Sequence, residues 1–248
     1  MSMSKFQRSL SFPVSAGHPT AALAVICLSV FVISVDATIV NVALPTLSRD
    51  LNATTAQLQW IVDAYTLVMS GLLLSAGSLS DRYGRRGWLS SGLLVFAMTS
   101  AVAAQVDSAG ALIAARAAMG IGAAVIFPTT LALITNIFTD PIRRAKAIGL
   151  WAAMVGVGVA AGPMTGGWLL EHFSWGSIFL VNVPIAALAI VGGLLFVPTS
   201  RDLAAPPVDI PGFMLSAIGI TALIYTVIEL LRGVGPARAL WSASAQRP

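Results

Sequence analysis

Long apolar runs alternate with short polar ones along this chain, and seven of the runs qualify as membrane spans: 21–47, 58–79, 88–105, 109–137, 145–170, 175–197 and 212–231. A helix needs roughly 20 mostly apolar residues to cross the hydrocarbon of a bilayer. The runs are continuous and do not alternate apolar with polar positions, so they predict helices and argue against a barrel. The first run is longer than the core of a secretory signal, lacks a clean small-x-small cleavage site and has six more behind it, so no cleaved signal peptide is expected. Two of the connecting segments, 80–87 and 140–144, are short and basic. A third, 198–211, reads PTSRDLAAPPVDIP, and its four prolines disfavour helix. The pattern predicts an all-α integral membrane protein. Its parts are a polar N-terminal segment at 1–20, a six-helix bundle at 21–197, a linker at 198–211, a seventh helix at 212–231 and a polar tail at 232–248.

Composition narrows the class. Hydrophobic residues make up 57 % of the 248 and charged residues 10 %, against about 45–50 % and about 25 % in soluble domains. That little charge does not wet the surface of a soluble globule, and that much apolar surface excludes disorder. The net charge is +4, yet 14 Lys and Arg are too few for a nucleic-acid-binding face. The single cysteine, Cys27, sits in an apolar run, which excludes an intrachain disulfide and argues against a thiolate metal site. Neither His18 nor His172 has a ligand partner at metal spacing. No nucleophile–base pair or phosphate-binding loop stands out, so neither an enzyme nor a bound metal or cofactor is expected.

Charge also sets an expected orientation. Nine basic residues (Lys5, Arg8, Arg82, Arg85, Arg86, Arg143, Arg144, Lys146 and Arg201) fall on one side of the first six spans, and only Arg49 on the other. Lys and Arg gather in cytoplasmic loops, so the N-terminus is expected inside. Arg232, Arg238 and Arg247 pull the other way, because a seventh helix that spans normally leaves them outside. That helix is therefore expected to insert incompletely.

A few residues do not belong in lipid. A charge at mid-membrane costs at least about 2.5–3.5 kcal/mol, so a span that keeps one usually faces a cavity. The first span keeps Asp36 and Asn41, the second Asp63 and the fourth Arg116. At about 1.5 Å per residue, Asp36 lies roughly 12–16 Å from the outer end of its helix, and Asp63 and Arg116 about 10 Å from theirs. One arginine in a common layer with two carboxylates fits a proton or cation site. Burial disfavours a charged carboxylate and a nearby arginine favours it, so moving an acid between the two settings lets it bind and release a proton. The same residues also fit a static buried ion pair that fixes helix register. Glu229, near the end of the seventh span, reads as a solvated interfacial acid.

Three motifs sharpen the reading. The second and third spans are joined by Gly77-Ser-Leu-Ser-Asp81-Arg82-Tyr-Gly84-Arg85-Arg86. Gly84 can take positive φ in a tight turn, and Asp81 can cap the next helix or pair with an arginine. The fourth span carries Arg116-x-x-Met119-Gly120-x-Gly122. The fifth carries Gly158-x-x-x-Gly162-Pro163-x-x-Gly166-Gly167, whose glycines at 158, 162 and 166 bare one helix face for close helix contact. Pro163 is expected to kink or bend that helix.

Taken together these motifs resemble the major facilitator superfamily. Asp36-Ala-Thr38-Ile-Val-Asn41-Val-Ala-Leu-Pro45, Gln59-Trp60-Ile-Val-Asp63-Ala-Tyr65 and Ile178-Phe-Leu-Val-Asn182-Val-Pro184 look like its fourteen-helix drug:proton antiporters, and the matches run through 21–231. The resemblance implies the N-terminal six-helix transporter bundle plus one additional transmembrane helix, truncated relative to the family. It implies a multi-pass protein of the inner or plasma membrane that exchanges protons for amphipathic or cationic drugs. Asp36 would be the coupling carboxylate, Arg116 its modulator, and Asp63 a second acid or cation-recognition group, with Asn41 beside them. Gly77, Asp81, Arg82, Gly84, Arg85 and Arg86 would form a cytoplasmic gate. Gly158, Gly162, Pro163, Gly166 and Gly167 would form the antiporter motif. The sequence departs from the family pattern at Met119, where a Gln is usual, and at Gly176-Ser177, where an Arg-Trp pair is common. The implied partners are the bilayer, protons, the exported molecules and a second transporter half. The alternative expectation is a membrane remnant or interaction subunit with no transport of its own.

Overall fold

Helix signals in the polar segments bracket each apolar run. Pro19 opens the first helix, α1 (Pro19–Asp50), at a position where its missing N–H is no loss. Thr54 and Gln57 exchange hydrogen bonds in a capping box that starts α2 (Thr55–Tyr83). Ser108 caps α4 (Ala109–Ile137), and Asp140 caps α5 (Pro141–His172) by accepting from the Arg143 amide at 2.8 Å. Between α2 and α3 (Arg85–Ala103) the chain turns at Gly84, whose φ of 107° is the left-handed backbone the basic motif requires.

The sixth apolar run was expected as one helix and is two: α6 (Ser177–Leu180) and α7 (Asn182–Phe196), meeting at Val181. Pro184 has no N–H to give to the Leu180 carbonyl, so the ladder is interrupted there and Asn182 becomes the first residue of α7. By contrast α1, α4 and α5 run without interruption through Pro45, Pro128 and Pro163.

The computed structural model describes residues 18–199 and the isolated positions 218, 219, 222 and 226, all four helical. The segment before residue 18, the rest of the expected seventh helix, the linker beyond 199 and the tail lie outside the described residues.

Among the described residues, four helices and the α6–α7 pair are long and apolar enough to cross a membrane. The helix of the third predicted span, α3, is not in that set. Arg85, Arg86, Ser90, Ser91, Thr99 and Ser100 dilute its apolar character. Its hydroxyls are nonetheless satisfied on carbonyls, Ser90 on Arg86 at 3.0 Å and Thr99 on Val95 at 2.7 Å, so its polar groups do not bar it from the bundle.

The packing places α1 at the centre. It lies against α5 on one side and α7 on another, and also touches α4 and α2. A second layer pairs α4 with α2 and α3. Within their apolar windows 67 % of α1 residues are buried but only 22 % of α5 residues. The α1–α5 contact is close because α5 is bare along one face. A Cβ on Gly158 would lie 2.7 Å from the Ser34 Cβ, and one on Gly166 would lie 2.9 Å from Ile39 Cγ1. Gly162 sits between them against Thr38 and the Val35 carbonyl. Such a stripe lets two backbones approach where lipid offers no hydrophobic drive for association. Gly167 points into open space and takes no part.

Candidate functional site

The polar residues inside the bundle converge on one point. Asp36 of α1 and Arg116 of α4 are both fully buried, and Arg116 Nη1 donates to Asp36 Oδ2 at 2.6 Å. The guanidinium makes two further contacts. Its Nε donates to the Ile61 carbonyl of α2 at 3.1 Å, and it lies over the ring of Tyr65, 4.3 Å from the centroid. Tyr65 in turn donates its hydroxyl to the Ile33 carbonyl of α1 at 3.2 Å. Three helices are thus tied through one side chain. Small residues make room for it: a Cβ on Gly120, one turn along α4, would lie 2.7 Å from the Tyr65 carbonyl.

The other oxygen of the carboxylate faces the break in the sixth span. Asn182 Nδ2 donates to Asp36 Oδ1 at 2.9 Å and to Ser100 Oγ of α3 at 3.1 Å. Ser100 passes its own proton to the Phe179 carbonyl at 2.8 Å. Asn182 and Ser100 are fully buried. Asn182 is the first residue of α7, which packs against both α1 and α3, and from there its side chain reaches Asp36 and Ser100. Two polar atoms in the cluster, Arg116 Nη2 and Asn182 Oδ1, are buried with no hydrogen-bond partner.

Removing two charges from water is repaid only by close geometry and added hydrogen bonds. Asp36 has both. It is ion-paired on one oxygen and hydrogen-bonded on the other, with no surface open to the outside. A carboxylate so enclosed can change its charge only if the enclosure opens or its partners rearrange.

The other expected residues are placed differently. Asp63 is half-buried on α2, half a helical turn from both Ile61 and Tyr65. Asn41 is exposed and donates to the Thr38 carbonyl of its own helix at 3.2 Å, so it does not join the Asp36 cluster. Five residues along a helix rotate a side chain by more than a third of a turn, which is why the same helix buries Asp36 and presents Asn41. Gly77 lies in α2 at ordinary contact distance from Pro128 of α4, and Asp81 and Arg82 occupy the last turn of α2. Gly84 makes the turn, and Arg85 and Arg86 open α3. Met119 fills the core completely buried. Gly176 packs against the Ala104 carbonyl with no space for a side chain, so an arginine does not fit there.

Sequence reading missed three members of the cluster as site residues: Asn182, Ser100 and Tyr65. The signal for Asn182 was present, a lone amide in a run of apolar residues. Ser100 carried no such signal, since α3 has several hydroxyls and only packing distinguishes this one.

Known proteins resemble this chain in sequence and in fold. A family model described as Major Facilitator Superfamily matches residues 26–245. The multidrug efflux pump LfrA of Mycolicibacterium smegmatis is 45 % identical over 218 residues, covering 87 % of this chain and 43 % of that protein. The puromycin resistance protein pur8 of Streptomyces alboniger is 38 % identical over 213 residues, covering 86 % and 42 %. The methyl viologen resistance protein SmvA of Salmonella typhimurium is 41 % identical over 211 residues, covering 85 % and 43 %. The chain spans less than half the length of each of these relatives. Among solved structures the human organic anion transporter MFSD10 (TETRAN) superposes with a TM-score of 0.66 at 17 % identity, over 80 % of this chain and 53 % of that one, which speaks to the fold alone. The helical bundle, its membrane-spanning lengths and a family match across most of the sequence agree, and this multi-pass membrane chain belongs to the Major Facilitator Superfamily, a family of transporters and not of enzymes.

Proposed function

We propose that this bundle is the proton-binding half of a drug:proton antiporter of the cell membrane, with its N-terminus in the cytoplasm. The carrying observation is the sealed Asp36. An ionisable group inside a membrane bundle is a functional candidate by default, and Asp36 is ion-paired to Arg116 on one oxygen and hydrogen-bonded by Asn182 on the other. Asp36 is the coupling carboxylate and Arg116 its modulator. Asp63 is a second acid or cation-recognition group, and Asn41, on the exposed side of α1, contacts substrate rather than the proton. The motif from Gly77 to Arg86 latches the cytoplasmic side. The stripe of Gly158, Gly162 and Gly166, with Pro163 and Gly167, holds α5 on α1 to limit leakage. The relatives' names, covering puromycin, methyl viologen and multidrug efflux, support amphipathic or cationic small molecules as substrates.

Alternating access rocks two bundles about a shared site. The test therefore grafts residues 26–197 into the corresponding part of LfrA and follows puromycin and methyl viologen resistance, together with drug-driven proton flux in everted vesicles. The graft is expected to export, and Asp36→Asn within it to lose both signals. Proton flux unchanged by Asp36→Asn overturns the reading. The 248-residue chain expressed alone is expected to give no resistance above an empty-vector control.

A further inference from the structure

Asp36 is held from two sides by chemically different partners. Arg116 offers only donors, whatever the pH. A protonated carboxylic acid must place its own O–H against an acceptor, so a proton arriving at Asp36 cannot sit on Oδ2, the oxygen 2.6 Å from Arg116 Nη1, while that pair is intact. It must go to Oδ1. There it meets Asn182 Nδ2, which is a donor in the arrangement observed. Asn182 is the one group in the cluster that carries a donor and an acceptor at interchangeable ends. Its acceptor, Oδ1, is the buried atom left without a partner.

We propose that Asn182 is the proton-responsive positioning residue of this bundle. Its side-chain amide turns over when Asp36 takes a proton, and this carries the change in charge to the break between α6 and α7. The proposal rests on the reading of Asp36 as the proton site. The step balances: a hydronium ion gives up one O–H proton to Asp36 Oδ1 and leaves as water, and the carboxylate goes from −1 to neutral. The amide then presents Oδ1 to the new O–H. Ser100, which accepts from Asn182 and donates to the Phe179 carbonyl, follows by swinging its proton from Phe179 to the same Asn182 oxygen. The Asn182 oxygen, without a partner while Asp36 is charged, thereby gains two donors, while Nδ2 moves to the side where no partner is seen and the Phe179 carbonyl gives up the Ser100 proton. Phe179 is in α6 and Asn182 starts α7, so what changes is the hydrogen bonding across Val181, where the helix has no continuous ladder to resist movement.

The groups that surround the carboxylate are few. From α4 comes Arg116, and from α2 the Tyr65 ring beneath that guanidinium, with Asp63 half-buried half a turn away. From α3 and α7 come Ser100 and Asn182, neither of which carries charge. On α5 the side that meets α1 is the glycine stripe. Asn182 is thus the only uncharged partner in direct contact with Asp36 among the described residues that can reverse its hydrogen-bond polarity.

The experiment is pH-difference infrared spectroscopy on the whole 248-residue chain in lipid vesicles, with asparagine isotopically labelled at the side-chain carbonyl. Acidification is expected to raise a protonated-carboxyl band that Asp36→Asn removes. A labelled asparagine band should move over the same pH interval, vanish in Asn182→Leu and shift in Ser100→Ala. A carboxyl band from Asp36 that titrates while no asparagine band moves overturns the proposal and leaves the proton site standing. The absence of any Asp36 carboxyl band overturns the proton site, and the proposal with it. If Asn182→Leu does not fold, Asn182→Gln, whose side-chain carbonyl carries no label, assigns the band, and a moving band that persists in it overturns the proposal.

Discussion

The hydroxyl of Thr38 donates to the carbonyl of Val159 across the α1–α5 contact, at 3.1 Å. Val159 lies four residues before Pro163, so its carbonyl is the one that the proline leaves without a helical donor. A threonine two residues from Asp36 thereby completes the ladder of α5, which is how that helix passes through Pro163 unbroken. Two carbonyls of α1, Val35 at 3.2 Å and Ser34 at 3.4 Å, compete for the same proton, so the hydroxyl has an intrahelical alternative when α1 and α5 part. Thr38→Val is expected to cost about 1–3 kcal/mol, the usual penalty for an unpaired polar group, while Thr38→Ser costs much less. Thermal unfolding of the purified protein in detergent distinguishes the two.

Gly162 faces Thr38 directly, and an added Cβ would also lie 2.9 Å from the Val35 carbonyl. Gly162→Ala is therefore expected to push α5 off α1 and to cost more stability than Gly167→Ala, which fills open space. Equal unfolding temperatures for the two alanine variants would show that the stripe does not set the helix spacing.

The buried pair gives a sharper contrast. Arg116→Ala leaves Asp36 sealed with its ion-pair partner gone, and the expected loss is about 3–5 kcal/mol. Replacing both members with apolar residues of similar length, Asp36→Leu with Arg116→Met, is expected to recover most or all of that loss, because both desolvation penalties disappear together. The double variant should fold and yet bind and release no proton. If it unfolds as readily as Arg116→Ala, the pair contributes stability in its own right, and its burial alone no longer points to a functional charge.

Much of this could be read from residue order alone. Asp36 and Arg116 were evident because a charge inside an apolar run is costly wherever the helix goes. The turn was legible from Gly84, but hydropathy placed the starts of α2 and α5 late, at 58 and 145, because their first turns are polar and their caps are Thr54 and Asp140. The grouping of Asn41 with Asp36 was not justified by the helical period, which sets them well over a quarter turn apart. The break at Val181 was hidden because 175–197 averages to one apolar run despite Ser177 and Asn182, and hydropathy does not register the N–H that Pro184 lacks. Asn182 was visible as a residue but not as a partner, since only the packing of α7 against α1 and α3 brings it to Asp36.

Gly84 has φ 107° and ψ 116°, a conformation that costs a side-chain-bearing residue about 1–3 kcal/mol. Gly84→Ala is expected to show that loss in unfolding measurements. Gly87→Ala, three residues on with nothing near its Cβ position, should show none.

Membrane orientation is open to a direct test. The α3–α4 connection and the α4–α5 connection lie at opposite ends of α4, so a spanning α4 puts Asp107 and Thr139 on opposite sides of the bilayer. Both residues are exposed. The basic residues favour the α4–α5 side as cytoplasmic, with Arg143, Arg144 and Lys146 beside Thr139 and no basic residue in the 104–108 connection. Cys27 is buried, and Cys27→Ala removes the chain's one native thiol without opening a large cavity. In that background Asp107→Cys is expected to react with an impermeant thiol reagent added to intact cells, and Thr139→Cys only after the membrane is permeabilised. The reverse pattern would invert the bundle, move the Gly77–Arg86 motif outside and end its assignment as a cytoplasmic latch.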